Sequence, residues 1–481
     1  MTHKSLVVCL VAAVVAILAC LAPTSRAQLS PAVAVGISSA GVTTIANGIL
    51  PAVMEAVRTS EFPGESGKES GYKYEISKIR INRLTYQDLI LNMQQANVIH
   101  AGIRKLTVAL NLHWSYKKSK IPWLPRGSGT ADVSMEGCTI DGAFLVTRVN
   151  NRLQVVLQSA TTQIDNISVK THGSLFSWLY NLIIRLFKST IRKTIENAIS
   201  DGFREAVNVR AAQILATMEY IKPVSSWGVI DLSLPRDPTQ YNSGAGASWT
   251  FPFNGEVYPA STRAPLNVVP RPNMPWTTGN RHFELNFSFF TINSAAAVWQ
   301  QVKRPTSIVD GSNTPQGFPV AMTSVAWQPH IPQIYTKYGS SGIEIKTTLD
   351  SYPTAGFNGN QMIFNMAYLF TVTANGRACF TIRGRYSGAV SISVRDNAIV
   401  PRIDDATGLF DLVSSSIGTF SLKPAEFIFN AVVKLIALPA INNDLFAGFP
   451  LPTIAGLSFV QPEFSVRDGF VVAGFNVQYR P

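Results

Sequence analysis

With 481 residues, of which about 450 would remain after the leader described below, the chain exceeds what one hydrophobic core ordinarily organises, and two domains are expected. Its four cysteines fall to two once Cys9 and Cys20 leave with that leader, which excludes a disulfide-built scaffold and requires a large apolar core. The net charge of +12 is unevenly spread: residues 28–222 hold 22 Lys or Arg against 14 Asp or Glu, and residues 223–481 hold 17 against 15, so an anionic partner is expected to meet the first half.

In chain order, Lys4 precedes an unbroken apolar run from Leu6 to Leu21, followed by Pro23, Ser25 and Ala27. This is a secretory signal layout with cleavage after Ala27, giving a soluble, secreted protein that starts near Gln28. Ser38 to Arg58 is predicted as a helix of small residues, kinked or ended by Pro51, whose ring removes a backbone donor. Leu106, Val108, Leu110, Leu112 and Trp114 alternate with polar residues, as do Leu153, Val155 and Leu157. Both runs read as long antiparallel strands with one buried face. Leu175 to Val209 carries Leu179, Leu182, Leu186, Ile191, Ile195 and Phe203 at helical spacing.

Residues 223–275 then hold nine prolines, with Trp249, Phe251, Phe253 and Val257 alternating among them, so this linker is expected to add strands to a shared sheet. A second helix–strand–helix series follows. It comprises a helix from Ser294 to Val302, period-2 strands through Ile343, Ile345 and Leu349 and through Met362 to Phe370, and a helix from Pro424 through Leu435. A last hairpin turns at Asp468-Gly469. No stretch after the leader reads as a bilayer span, since Phe427 to Ala440 includes Asn430 and Lys434. Each half thus reads as early helix, strands, late helix, and the two are expected to share one architecture. The divisions are 1–27 signal peptide, 28–222 first barrel, 223–275 linker and central strands, and 276–481 second barrel.

No hydrolase elbow, phosphate loop, helical zinc pair or paired CxxC is present. The five histidines beyond the leader are scattered without i,i+4 spacing. The sequence therefore reads as non-catalytic and without a cofactor or metal. The positive signal is the hairpin Trp114 to Arg126, where Lys117, Lys118, Lys120 and Arg126 accompany Tyr116 and Trp123 with no acid among them. Such cations meet phosphates while the rings settle at a headgroup boundary. Nucleic acid is not expected, because no nucleic-acid motif accompanies a secretory leader.

These features resemble the family of bactericidal/permeability-increasing protein, lipopolysaccharide-binding protein, phospholipid transfer protein and cholesteryl ester transfer protein. The resemblance rests on Val33 to Ser38 with Gly41, on Trp114 to Gly129, on Trp178-Leu179 with Leu186-Phe187, on Gly255-Glu256 with Tyr258, and on Leu438 to Asn442 followed by Gly448 to Pro452. It implies an α+β molecule: an elongated boomerang of two similar barrels, each a twisted antiparallel sheet wrapped on a long helix, joined by a central antiparallel sheet. It also implies a phospholipid in an apolar pocket of each barrel, around Val42, Ile45, Ile49, Leu179 and Ile183 in the first and Phe427, Ala431 and Leu435 in the second.

The tip residues Lys117, Lys118, Lys120 and Arg126, with Tyr116 and Trp123, would engage lipopolysaccharide or anionic lipid, joined more weakly by Lys68 and Lys170. The expected protein is a monomer of innate defence acting at the bacterial outer-membrane surface; the alternative is an extracellular phospholipid or neutral-lipid transfer protein. The family's first-domain disulfide corresponds to positions near Ala160 and Phe203, where both cysteines are missing. Cys138 and Cys379 fall in different halves and are expected as buried thiols outside any disulfide. Asn166 and Asn286 form glycosylation sequons, and Asn286 is expected to point away from the core.

Overall fold

A computed structural model describes residues 30–59, 64–69, 71–95, 97–119, 126–172, 180–181, 184, 204, 208–209, 212–217, 219–243, 246–271, 281–359, 361–396, 398–445, 448–451 and 457–479. The chain enters through β1 (Val33–Ser38) and passes directly into a helix, Ser39–Arg58. The junction is tight: a methyl group on Gly41 would collide with the His282 carbonyl, so only glycine permits this approach.

The first half then builds a seven-stranded antiparallel sheet. Its members are β2 (Glu65–Glu69), β3 (Tyr72–Thr85), β4 (Asp88–Gln95), β5 (Val98–Lys118), β6 (Gly127–Val149), β7 (Arg152–Gln163) and β8 (Asn166–His172). The order is β2-β3-β5-β6-β7, with β4 also on β5 and β8 also on β6. On β5 the predicted alternation holds: Leu106, Val108, Leu110, Leu112 and Trp114 are buried, and the row continues to Tyr116. Met54 of the early helix packs against this apolar face.

The linker supplies β9 (Ile221–Pro223), β10 (Gly228–Asp231), β11 (Thr239–Ser243), β12 (Gly246–Phe253) and β13 (Glu256–Pro259). The second half opens with β14 (Phe283–Ser288) and the helix Phe289–Lys303. Its sheet runs β15 (Thr306–Val309), β16 (Ile343–Asn358), β17 (Gln361–Ala374), β18 (Arg377–Arg395), β19 (Ala398–Ser415) and β20 (Phe449–Pro450), in that order. Across this sheet lies the helix Lys423–Asp444, whose Phe429 ring sits 5.3 Å from that of Phe370. The chain closes with β21 (Leu457–Arg467) and β22 (Phe470–Tyr479), joined at Asp468-Gly469 as the sequence predicts.

The central sheet shows the internal repeat most directly. Its order, β11-β12-β1-β14-β22-β21, is two three-stranded units placed edge to edge. Each unit consists of the strand that leads into a half's early helix and the hairpin that comes later in that half's chain. The units meet where β1 pairs β14, with Val35 opposite both Leu285 and Phe251, and Leu285 opposite Ala473. Across the four inner strands one face is therefore apolar: Val33, Val35 and Ile37 align with Trp249, Phe251, Phe253, Phe283 and Phe475.

A buried polar joint ties the ends of these segments. Arg271 donates to the Ser30 carbonyl at 2.6 Å and to Glu256 Oε2 at 2.8 Å, and lies 4.4 Å over the Phe290 ring. Asp231 accepts from Asn254 at 2.7 Å and from Tyr258 at 2.8 Å. Burial, with the Asp231 carboxylate beside it, pushes the Tyr258 hydroxyl well above its ordinary value.

Four expectations are corrected. The early helix runs through Pro51 unbroken. Pro51 and Asn47, whose carbonyl loses its partner, are both exposed, so water can serve the freed acceptor. The helix expected from Ser294 begins at Phe289, because Ser288 caps it, its hydroxyl accepting from the Phe290 amide at 3.0 Å. The late helix extends to Asp444, and its 22 residues are long and apolar enough to cross a membrane by length and composition, contrary to the sequence expectation. Ile428, Phe429, Val432, Val433, Leu438 and Ile441 are buried against the sheet, the placement of a core helix. Finally, Asn286 is only 2% exposed, because the central sheet is covered on both faces, and it cannot carry a glycan in this fold. Cys138 and Cys379 are buried and outside any disulfide, as expected.

Candidate functional site

Registers at the turn-bearing end of the first sheet determine which side chains share a face. Lys68 on β2 lies opposite Lys73 on β3, which lies opposite Lys117 on β5, and Arg126 immediately precedes β6. One step inward, Ser66, Glu75, Ser115 and Ser128 form a second row across the same four strands. Residues two apart on a strand project to the same side, so the two rows together face outward. They line a trough of about 750 Å³, with the Gly67, Tyr74, Tyr116 and Gly127 positions between them. Lys68, Lys73, Lys117 and Arg126 are exposed, and among the described residues none forms an ion pair.

The opposite face is aromatic. Trp114 stacks on Tyr116 at 6.1 Å and 16°, and Tyr72 meets Tyr116 edge-on at 5.9 Å. Trp114 also donates through Nε1 to the Thr130 carbonyl at 3.0 Å. These rings lie over glycines of the neighbouring strands: a methyl on Gly67 would strike Tyr74, on Gly127 the Tyr116 ring, and on Gly129 both the Trp114 ring and the His172 carbonyl. The glycines are thus required by ring packing, and the plate they accommodate backs the cation row.

The hairpin cations do not stay together. Lys118 is half-buried opposite Tyr72 and falls on the Tyr116 side, whereas Lys117 projects into the trough. Lys120 and Trp123 lie outside the described residues. Lys170 sits on β8 opposite Asp132, away from the trough lining. Hydrogen bonds from Asn111 and then His172 hold the Asp132 carboxyl below its usual range, with the Lys170 charge adding to them.

Lys73 and Glu75 were missed by sequence reasoning. The alternation Tyr72-Lys73-Tyr74-Glu75 was the available signal, and it becomes informative only once β3 is placed beside β5.

For the pockets, Ile45 is buried and Val42 half-buried on the early helix. The Ile49 side chain, Leu179 and Ile183 lie outside the described residues. Phe427 is 40% exposed with its ring 4.9 Å from His330, while Ala431 and Leu435 are half-buried, so these three occupy the less covered side of the late helix. Asn166 is exposed at the start of β8. Of the positions corresponding to the family's disulfide, Ala160 packs against the core and Phe203 lies outside the described residues.

The N-terminal domain model of the LBP / BPI / CETP family matches residues 39–205, and its C-terminal domain model matches residues 224–479. The chain belongs to this family. Bactericidal permeability-increasing protein of Sebastes schlegelii is 22% identical over 448 residues, covering 89% of this chain and 91% of that protein. Human lipopolysaccharide-binding protein is 20% identical over 413 residues, covering 83% and 85%. A crystal structure of lipopolysaccharide binding protein superposes with a TM-score of 0.62 at 20% identity, covering 94% of this chain and all of the other. The fold is accordingly the family's α+β pair of barrels about a central sheet.

Proposed function

We propose that the chain is a secreted, non-catalytic lipid-binding protein that engages lipopolysaccharide or anionic phospholipid through the trough and carries phospholipid in two apolar pockets. Its mature form starts at Gln28, with barrels over 28–222 and 276–481 and the linker 223–275 between them. The observation that carries this reading is the convergence of Lys68, Lys73, Lys117 and Arg126, from three separate stretches of chain, on one trough where, among the described residues, none of the cations forms an ion pair. Ammonium and guanidinium groups left unpaired at a surface are suited to phosphate. Lys120 and Trp123 belong to the same hairpin and act with them at the headgroup boundary, whereas Lys118 and Tyr116 lie on the opposite face and Lys170 stands away from the trough on β8. Named relatives that bind lipopolysaccharide support the ligand class. In the pockets, Val42, Ile45, Ile49, Leu179 and Ile183, and Phe427, Ala431 and Leu435, bury acyl chains at about 0.8 kcal/mol per CH₂ group.

The test replaces Lys68, Lys73 and Lys117 with Gln. Binding to lipopolysaccharide and to anionic vesicles is expected to weaken by roughly 1 kcal/mol per charge, with a shallower salt dependence. Phospholipid recovered by solvent extraction of the purified protein is expected to remain unchanged. Equal affinities and equal salt slopes for wild type and variant would overturn the trough as the recognition site and leave lipid transfer as the better reading.

A further inference from the structure

The cation row accounts for only half of the trough. The second row, Ser66, Glu75, Ser115 and Ser128, offers three hydroxyls and one carboxylate. Among the described residues, none of these four side chains has a hydrogen-bond or ion-pair partner. Glu75 is two residues from Lys73 on the same strand face, so a carboxylate stands beside cations that are themselves unpaired.

A site built only to grip anions gains nothing from that carboxylate. Against a flat anionic surface it opposes its neighbours, since each charge near such a surface contributes with its own sign. It does suit a ligand that presents hydrogen-bond donors next to its phosphates. A carboxylate is acceptor-only, and hydrogen bonds to it are among the strong ones. Serine hydroxyls, able to donate and accept, complete a row that matches the ring hydroxyls and amide groups of a sugar.

We infer that the trough is read in two rows, phosphate by Lys68, Lys73, Lys117 and Arg126 and sugar by Ser66, Glu75, Ser115 and Ser128, with Glu75 the residue that selects a phosphorylated saccharide over a phosphodiester lipid surface. This rests on the anion-binding reading of the trough and narrows its ligand to one class. Selection arises from both signs of the Glu75 contribution: an added hydrogen bond for one ligand and a repulsion for the other.

The experiment compares wild type, Glu75→Gln, Ser115→Ala and the Lys73→Gln/Lys117→Gln double variant against two probes. One is an acyl-free diphosphorylated glucosamine disaccharide, measured by calorimetry; the other is phosphatidylglycerol vesicles, measured by sedimentation. Glu75→Gln is expected to weaken disaccharide binding about fivefold and to tighten vesicle binding about fivefold, because it removes an acceptor and a negative charge together. Ser115→Ala is expected to weaken the disaccharide alone. The double variant is expected to weaken both probes.

If the double variant leaves both probes unaffected, the anion-binding reading of the trough fails and this inference fails with it. If the double variant weakens both but Glu75→Gln shifts them equally and in one direction, the trough binds anions and the two-row reading alone is overturned. Since Glu75 and Ser115 lie on the surface of a paired strand, melting temperatures within the wild-type range are expected to confirm that both variants fold.

Discussion

Where the first sheet turns at β2–β3 and β5–β6, it ends in exposed Lys68, Lys73 and Lys117 around an open trough. Where the second sheet turns at Asn375-Gly376, short helices Ser324–Trp327 and Pro332–Tyr338 lie across it. Beneath these helices Trp327, Ile331 and Ile334 are wholly buried. Hydrogen bonds fasten the cover: Ser324 Oγ donates to the Gly339 carbonyl at 2.6 Å, Tyr338 to the Ala378 carbonyl at 2.9 Å, and the Gly342 amide to Asn375 Oδ1 at 2.9 Å. One plan of strands thus finishes in an open, charged surface on one side and a sealed plug on the other. What separates the two is whether the residues between strands bury apolar bulk or leave unpaired charge.

The largest effect is expected at the plug. Trp327→Ala removes a wholly buried ring that meets Phe429 edge-on at 6.2 Å, and should cost about 3–5 kcal/mol in the denaturant transition of the second half. Binding of anionic vesicles at the trough should not change. A loss below about 1 kcal/mol would mean that the cover is ornamental to stability and would break the contrast.

At the open end the expected stability effect is smaller but coupled to binding. Gly129→Val drives a branched side chain into the Trp114 ring and the His172 carbonyl, overpacking worth about 1–3 kcal/mol. Because the aromatic plate backs the cation row, vesicle binding should weaken as well. A variant that is destabilised yet binds normally would show that the plate and the row are independent.

The smallest effect sharpens the comparison through chemistry. Burial pushes the Cys379 thiol up to about 11, and Cys379 is wholly buried beside the β17–β18 turn, where its carbonyl accepts from Ser416 at 3.0 Å. The neutral thiol is the favoured form in the fold. Its contribution to stability is therefore complete below its ordinary value and is lost as pH rises toward 11. Iodoacetamide at pH 8 should leave Cys379 unmodified in the native protein and label it rapidly in urea, as read by peptide mass. Rapid native labelling would show that this end opens.

Much of this architecture was legible in the sequence where one local rule governs the outcome. Period-2 burial gave β5 and β17, and Asp468-Gly469 gave the final hairpin, because pleat and turn geometry act over a few residues. The start of the Phe289–Lys303 helix was not legible: Phe289, Phe290, Thr291 and Ile292 look like strand continuation, and the Ser288 cap is visible only in three dimensions. Asn286 misled because alternation predicts an exposed partner face only when one side of a sheet meets water. The site was half legible. Chain-local clustering found Lys117 and Arg126 but grouped them with Lys118, which the pleat sends to the other side. Lys73 and Glu75 entered only through cross-strand register.

The position of β1 between β12 and β14 has a consequence for biosynthesis. Val35 must wait for Phe251 and Leu285 before its strand is enclosed, and Leu285 must wait for Ala473. At about 5–20 residues per second on the ribosome, Val35 precedes Leu285 by roughly 12–50 s, a long interval for an apolar strand to lack its partners. Pairing between residues so far apart in sequence is also intrinsically slow. The first half therefore cannot complete its own interface until the second half has been made, and a lesion in either half is expected to surface as misfolding of the whole molecule.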